Sequence, residues 1–328
     1  MCYADLGATV SLVDHAKGGK MLQLYSAIWR VSGPRQIVLI LLSLSIAALA
    51  AAPLKFQQDI VNLLTEGSFD TSELFILGGG MMGVVLLSLG LKWLMGYRSQ
   101  ILGEDVIRLL RSRLLDGAVS EQGINGRVRT GALSTAISAE AEELGKFTGS
   151  AISEPVMQLG TLISVIGFIA STQPVLGVVA LSMLVPQIGI VVFSQSKVNM
   201  LLAKRVKILR RAADQLTETE LRAVVTSVKE DFDRIYETRR TMFHWKLSTK
   251  FILSAINGAG TVFVFMLGGA LVLEGRTDVG TIVAATLGLS RLQAPTAFLI
   301  AFYRQVSANR VKYELLRTLP LGQTAAST

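Results

Sequence analysis

Long uncharged stretches constrain this chain more than any other feature. Gln36 to Leu54, Leu74 to Leu91 and Phe251 to Leu273 contain no charged side chain. Pro155 to Ser196 is an uncharged run of 42 residues, too long for one bilayer crossing and interrupted by Ser171-Thr172-Gln173-Pro174. A last apolar stretch, between Asp278 and Arg304, holds one charge, Arg291. An apolar helix needs about 20 residues to cross the hydrocarbon core. Lipid offers backbone amides no partner, so crossing segments must be helical. The pattern predicts six transmembrane helices over about 37–54, 74–97, 152–171, 175–195, 251–273 and 279–303, in an all-α integral membrane protein.

Charged residues make up 17% of the chain, well under the roughly 25% of soluble domains. The net charge of +8 would attract phosphate, yet the bases cluster in connections that adjoin the spans. Orientation by the positive-inside rule accounts for them. With no groove-reading motif beside them, nucleic acid is excluded as a partner and membrane lipid is the expected surroundings. Cys2 is the sole cysteine, and His15 and His244 are far apart, so neither a disulfide nor a metal site is predicted. About 35 residues precede the first span and include Lys17, Lys20, Arg30 and Arg35. No small-residue cleavage site follows it, so it reads as a retained anchor.

Base-rich and base-poor connections alternate. Between spans one and two stand Asp59, Glu66, Asp70 and Glu73 against Lys55. The third-to-fourth connection is uncharged, and the fifth-to-sixth holds Glu274, Arg276 and Asp278. By contrast, Lys197 to Lys250 carries thirteen Lys or Arg against seven acids, and Arg304, Arg310, Lys312 and Arg317 follow the last span. In Arg98 to Ser153 bases and acids balance. This alternation places both termini in the cytoplasm of a multi-pass plasma (inner) membrane protein.

Two connections, Arg98 to Ser153 and Lys197 to Lys250, far exceed ordinary helix–helix links, and neither contains proline before Ser153. In the second, Leu201, Leu202, Ile208, Leu209, Leu216, Val224, Val225, Val228, Phe232 and Ile235 recur at amphipathic spacing. The expectation is that the membrane helices run on into the cytoplasm, turn through short connecting helices and return. Met21, Leu22, Leu24, Tyr25, Ile28 and Trp29 fall on one helical face. They predict an elbow helix over 20–31 lying along the inner surface, ended by Gly33-Pro34. The domain layout is then a cytoplasmic tail and elbow over 1–36, a six-helix domain over 37–310 and a cytoplasmic tail over 311–328.

Local sequence extends the pattern. Leu267-Gly268-Gly269-Ala270-Leu271-Val272-Leu273-Glu274-Gly275, followed by Gly280-Thr281-Ile282-Val283-Ala284, is a Gly-rich junction between spans five and six. Pro295 lies within the sixth span, and Pro53 precedes Gln58-Asp59-Ile60-Val61-Asn62 at the outer end of the first. Gly131-Ala132-Leu133-Ser134 is followed by Glu140 and Glu142, and Ala308, Asn309 and Arg310 come after the sixth span. In order and spacing, over residues 20–319, these resemble the transmembrane (permease) domain of the ABC exporter family.

The resemblance implies the ABC exporter type-1 transmembrane fold and a permease that moves cargo by alternating access. It also implies pairing with a second copy or a paralogue, and a partner ATPase (nucleotide-binding) subunit that holds ATP and Mg. The family's phosphate loop, Gly-x-x-x-x-Gly-Lys-Ser/Thr, is not matched here. Gly126 to Gly131 has the glycine spacing but continues Ala132-Leu133, and Lys17-Gly18-Gly19-Lys20 lacks the hydroxyl. The expectation is that the chain ends near Thr328 without a nucleotide-binding domain, binds no cofactor itself and cannot hydrolyse ATP alone. Coupling to the ATPase is expected at the middle of each excursion: Asp116, Gly117, Ala118, Val119, Ser120 and Glu121 in the first, Arg211, Ala212, Ala213, Asp214, Gln215 and Leu216 in the second. A solvated turn is the alternative at either place.

Arg291 lies about a dozen residues into the sixth span, where a cation costs about 2.5 kcal/mol or more unless it meets water, a partner or substrate. With Gln293 and Pro295 it makes a polar break. It either lines a cavity for anionic cargo or pairs with a neighbouring helix. Gln158, Gln187 and Asn257 either touch cargo or bond helix to helix. Two other functions remain open: an ion-gradient-driven transporter of exporter architecture, or a non-transporting scaffold. The first is disfavoured because no Asp, Glu or His lies within the spans, with Glu154 and Glu274 standing only at their edges.

Overall fold

The computed structural model describes residues 5–65, 71–125, 136–218 and 221–318. Among them the chain forms nine α-helices, one π turn and no strand. The order is α1 (Asp5–Leu49), α2 (Ala52–Thr65), α3 (Thr71–Asn125), the π turn (Ala136–Glu140), α4 (Ala141–Ser150), α5 (Ser153–Thr172), α6 (Pro174–Glu218), α7 (Leu221–Leu273), α8 (Val279–Arg291) and α9 (Gln293–Thr318). Six helical runs are long and apolar enough to cross a membrane; the first joins α1 to α2 and the last joins α8 to α9.

Proline and glycine set the boundaries. Pro53 has no N–H for the carbonyl of Leu49, four residues back, and α1 stops at Leu49, short of the predicted residue 54. Pro174 opens α6, with only Gln173 between it and the end of α5, as the Ser171 to Pro174 signal predicts. At the Gly-rich junction, Gly275 adopts φ 69°, a left-handed conformation that glycine takes without penalty. The amides of Gly275 and Arg276 bond back to the carbonyls of Val272 and Leu271 at 2.9 Å each, closing α7. Asp278 then caps α8, its carboxylate accepting from the Thr281 amide at 2.6 Å and the Thr281 hydroxyl at 2.9 Å.

The predicted elbow is not a separate helix: α1 passes through Pro34 unbroken. The cause is packing. Leu24 and Ile28 are buried in a core with Leu114, Leu144, Phe147, Phe302 and Val306, so protein holds the segment before Pro34 in line. Trp29 and Leu22 face outward, 46% and 71% exposed. The apolar residues of 21–29 therefore divide between a core and an outer face instead of sharing one.

The chain divides into two compact units, one of Met1–Ile60, Phe69–Val165 and Ala294–Thr328, the other of Val61–Ser68 and Ile166–Gln293. In the first, α1 packs on α3 through Leu39, Ile46, Met95 and Leu102. α4 meets α3 at backbone distance. A Cβ on Gly149 would stand 2.2 Å from the Ser99 carbonyl oxygen, and one on Gly145 2.9 Å from that of Gly103. Gly145 and Gly149 make a small-xxx-small seam. Across the break at Ala151-Ile152, Gln36 donates to the Thr148 carbonyl at 2.9 Å and Ser43 to the Ser153 carbonyl at 2.8 Å. The second unit is dominated by the antiparallel α6–α7 hairpin.

As expected, membrane helices overshoot the bilayer. α3, α6 and α7 hold 55, 45 and 53 residues, so α3 is about 80 Å long against a core of about 30 Å. Short connecting helices do not follow at the second tip. α6 ends at Glu218 and α7 opens at Leu221, leaving no room for one. At the first, residues 116–123 belong to α3 itself, while Gly131-Ala132-Leu133-Ser134 lies outside the described residues.

Candidate coupling tips and cargo site

The first tip is the end of a continuous rod. Leu114 is buried in the core shared with α1, α4 and α9, and Ala118 is 6% exposed. Asp116 accepts from the Ser112 hydroxyl at 3.3 Å, one turn earlier. Val119 is 71% exposed, so the helix presents an apolar side chain just past the core. Gly117 is half-buried beside Ala118. The side chains of Ser120 and Glu121 lie outside the described residues.

The second tip closes the hairpin. Ala212 is buried against Val228, and Gln215 accepts from the Ser227 hydroxyl at 3.2 Å. Arg211 is largely exposed and stands 3.9 Å from a carboxylate oxygen of Asp231; Arg234 stands 3.5 Å from the other. Asp231 is 2% exposed, so a buried charge is compensated by two guanidinium groups that reach water. The side chains of Ala213, Asp214 and Leu216 lie outside the described residues.

Asp231 escapes sequence reasoning because the stripe takes another register. Val225, Phe232, Leu202 and Leu209 are exposed, and Val228 alone of the predicted set is fully buried among the described residues. The buried face of α7 runs Val228, Asp231, Thr238, Met242, with polar residues at core positions that an apolar count passes over. The signal was present: Asp231 falls three residues after Val228, on the helical row that Val228 begins. Gly103, Gly145 and Gly149 were overlooked likewise, although the Gly145-x-x-x-Gly149 spacing is visible in the sequence.

Two of the cargo candidates meet each other. The Gln187 amide donates to the Asn257 side-chain oxygen at 3.0 Å, joining α6 to α7; this is the helix-to-helix use of amides. Gln158 is half-buried on α5. Of the span glycines, Gly260 approaches Met183 too closely to admit a Cβ, whereas a Cβ on Gly79, Gly83 or Gly258 would meet nothing within 4 Å among the described residues.

The sixth span is broken where the sequence predicts a polar interruption. α8 ends at Arg291 and α9 begins at Gln293, with Leu292 between. Pro295 supplies no N–H for the Arg291 carbonyl four residues back, which explains the interruption. Arg291 is half-exposed, Gln293 exposed, and Pro295 and Thr296 are buried. The break puts a cation, an amide and the start of α9 within three residues, and broken membrane helices are suited to polar ligands.

No group of three or more potential metal-binding side chains occurs among the described residues. A comparison with curated proteins finds no match. A comparison with protein families finds that residues 36–296 match the ABC transporter transmembrane region. That span takes in both long excursions and reaches into all six apolar crossings, ending within the sixth. The chain therefore belongs to the ABC transporter transmembrane family, as a multi-pass membrane component of such a transporter.

Proposed function

We propose that this chain is the permease subunit of an ABC-type exporter in the plasma (inner) membrane, with both termini cytoplasmic. It works as a dimer with a second copy or paralogue, and ATP and Mg are held by a separate ATPase subunit. One observation carries the coupling: α3, α6 and α7 continue far past the bilayer without interruption. A continuous helix transmits displacement at its tip to its membrane segment, and residues 116–121 and 211–216 are the docking positions. Asp231, Arg211 and Arg234 keep the second tip fixed to its hairpin. At the other end of the stroke, the break at Leu292 gives the sixth span a point at which it bends. Arg291 there favours anionic cargo.

Affinity purification of the tagged protein from its native membrane in mild detergent, with mass spectrometry of partners and an ATPase assay, tests the proposal. The expected result is a stoichiometric ATPase subunit with vanadate-sensitive turnover, lost on scrambling 116–121 or 211–216 in a folded variant. A well-folded dimer with no ATPase partner and no turnover overturns it.

A further inference from the structure

The α6–α7 hairpin segregates its charge. From Pro174 to Ala213 the chain has six Lys or Arg and no acid; from Thr238 to Leu273 it has four and no acid. All seven acids of the connection fall between Asp214 and Glu237, toward the tip. The positive-inside rule counts bases and is nearly indifferent to acids, so it does not explain why acids are kept from the membrane side. The other excursion shows no such exclusion: Glu104, Asp105, Glu142 and Glu143 lie within twelve residues of its ends.

At the membrane side of the hairpin the cations gather as a collar within about one helical turn. Lys197 is the first charge after the 42-residue uncharged run, and Lys250 the last before the fifth span. Thr249 donates to Ser194 across the helix pair. Because the helices are antiparallel, that bond puts Lys197 level with Lys246, and Lys250 about one turn below. Phe193 meets Trp245 edge to face at 5.8 Å, and the Lys197 ammonium lies 5.6 Å from the centre of the Phe193 ring. Phe193 is 57% exposed, and Lys246 and Lys250 are exposed. A tryptophan such as Trp245 belongs at headgroup depth. Farther along the hairpin, an open groove of about 620 Å³ is lined by Lys204, Arg234, Asp233 and Glu237, charges of both signs.

We propose that this collar is a binding site for anionic phospholipid headgroups, with Lys197, Lys246 and Lys250 engaging the phosphate and Phe193 and Trp245 seated at the acyl boundary. The absence of acids serves it directly, since a carboxylate at that depth would repel the headgroup. Basic clusters beside a transmembrane helix attract acidic lipid. The site does not depend on what the protein transports.

The test places the full chain in nanodiscs of phosphatidylcholine, with or without phosphatidylglycerol, and counts retained lipid by native mass spectrometry. Wild type is expected to retain severalfold more phosphatidylglycerol than its share of the bilayer. The variant K197Q/K246Q/K250Q loses that excess, while K204Q/K207Q, farther from the membrane, keeps it. Helical circular dichroism and melting in pure phosphatidylcholine establish that the variants fold. The single K246Q and K250Q variants, at exposed positions, carry the same test in smaller steps should the triple variant fail to fold. Millimolar inorganic phosphate leaves the excess unchanged if the ligand is lipid; displacement by phosphate makes the collar a soluble-anion site and overturns the proposal. Equal retention of both lipids by wild type, as when a second copy covers the collar, also overturns it, as does an undiminished excess in the triple variant.

Discussion

Asn62 accepts a hydrogen bond from the backbone amide of Gly280 at 2.8 Å, tying the end of α2 to the first turn of α8 across most of the sequence. Asp278 satisfies the next amide, that of Thr281, so two of the free donors at the start of α8 are met by side chains. The end of α2 and the start of α8 are thus joined at one point.

Asn62→Ala removes that acceptor and leaves the Gly280 amide dependent on water. The expected cost is about 1 kcal/mol, read as a lower melting temperature in detergent. A sharper check uses the cysteine-poor chain. In a Cys2→Ser background, Asn62→Cys with Gly280→Cys forms a disulfide under mild oxidation, detected by mobility after proteolysis between the two positions. No crosslink under any oxidant would show that the contact does not form.

Composition made the six crossings and the long excursions legible, because lipid forbids charge and long helices need no other signal. Pro53, Pro174, Gly275 and Pro295 likewise announce the breaks near them. Pro34 announces a break that does not occur, because Leu24 and Ile28 are held by residues far along the chain. Asp231 and Thr238 are buried although polar; Arg211 and Arg234 compensate the first, and the Arg234 carbonyl accepts from the second, partners that an apolar count does not anticipate. Gln187 and Asn257 were recognisable as a choice between cargo and packing, and only their mutual bond shows that they join α6 to α7.

The glycine seam gives the largest single-residue effect. A methyl group on Gly149 meets the backbone oxygen of Ser99 at 2.2 Å, and backbone cannot rotate aside. Gly149→Ala is expected to destabilise by about 2–3 kcal/mol through overpacking. Gly83→Ala, with nothing within 4 Å, changes stability little or raises it slightly through helix propensity. Equal melting temperatures for the two variants would remove the seam as a close contact.

Arg291 separates cargo by charge if it lines the transport path. In proteoliposomes with the complete transporter, Arg291→Ala is expected to lower transport of an anionic dye such as calcein at least tenfold. Transport of a cationic rhodamine changes little, and Arg291→Lys retains most anion transport. Parallel loss of both dyes in a folded variant would assign Arg291 to structure instead of cargo.

The Asp231 cluster predicts strong non-additivity. Arg211 and Arg234 are each more than half exposed while Asp231 is buried. Removing one guanidinium leaves the other, so Arg211→Gln or Arg234→Gln alone costs under about 1 kcal/mol, as for exposed ion pairs. Removing both strands a buried carboxylate, and the double variant is expected to lose about 3 kcal/mol or more. Adding Asp231→Leu to the double variant restores much of that loss, because a buried apolar side chain of similar size needs no counter-charge. Thermal melting of the four variants beside wild type measures the coupling. Strict additivity, with no rescue by leucine, would show that Asp231 is not held by these two arginines.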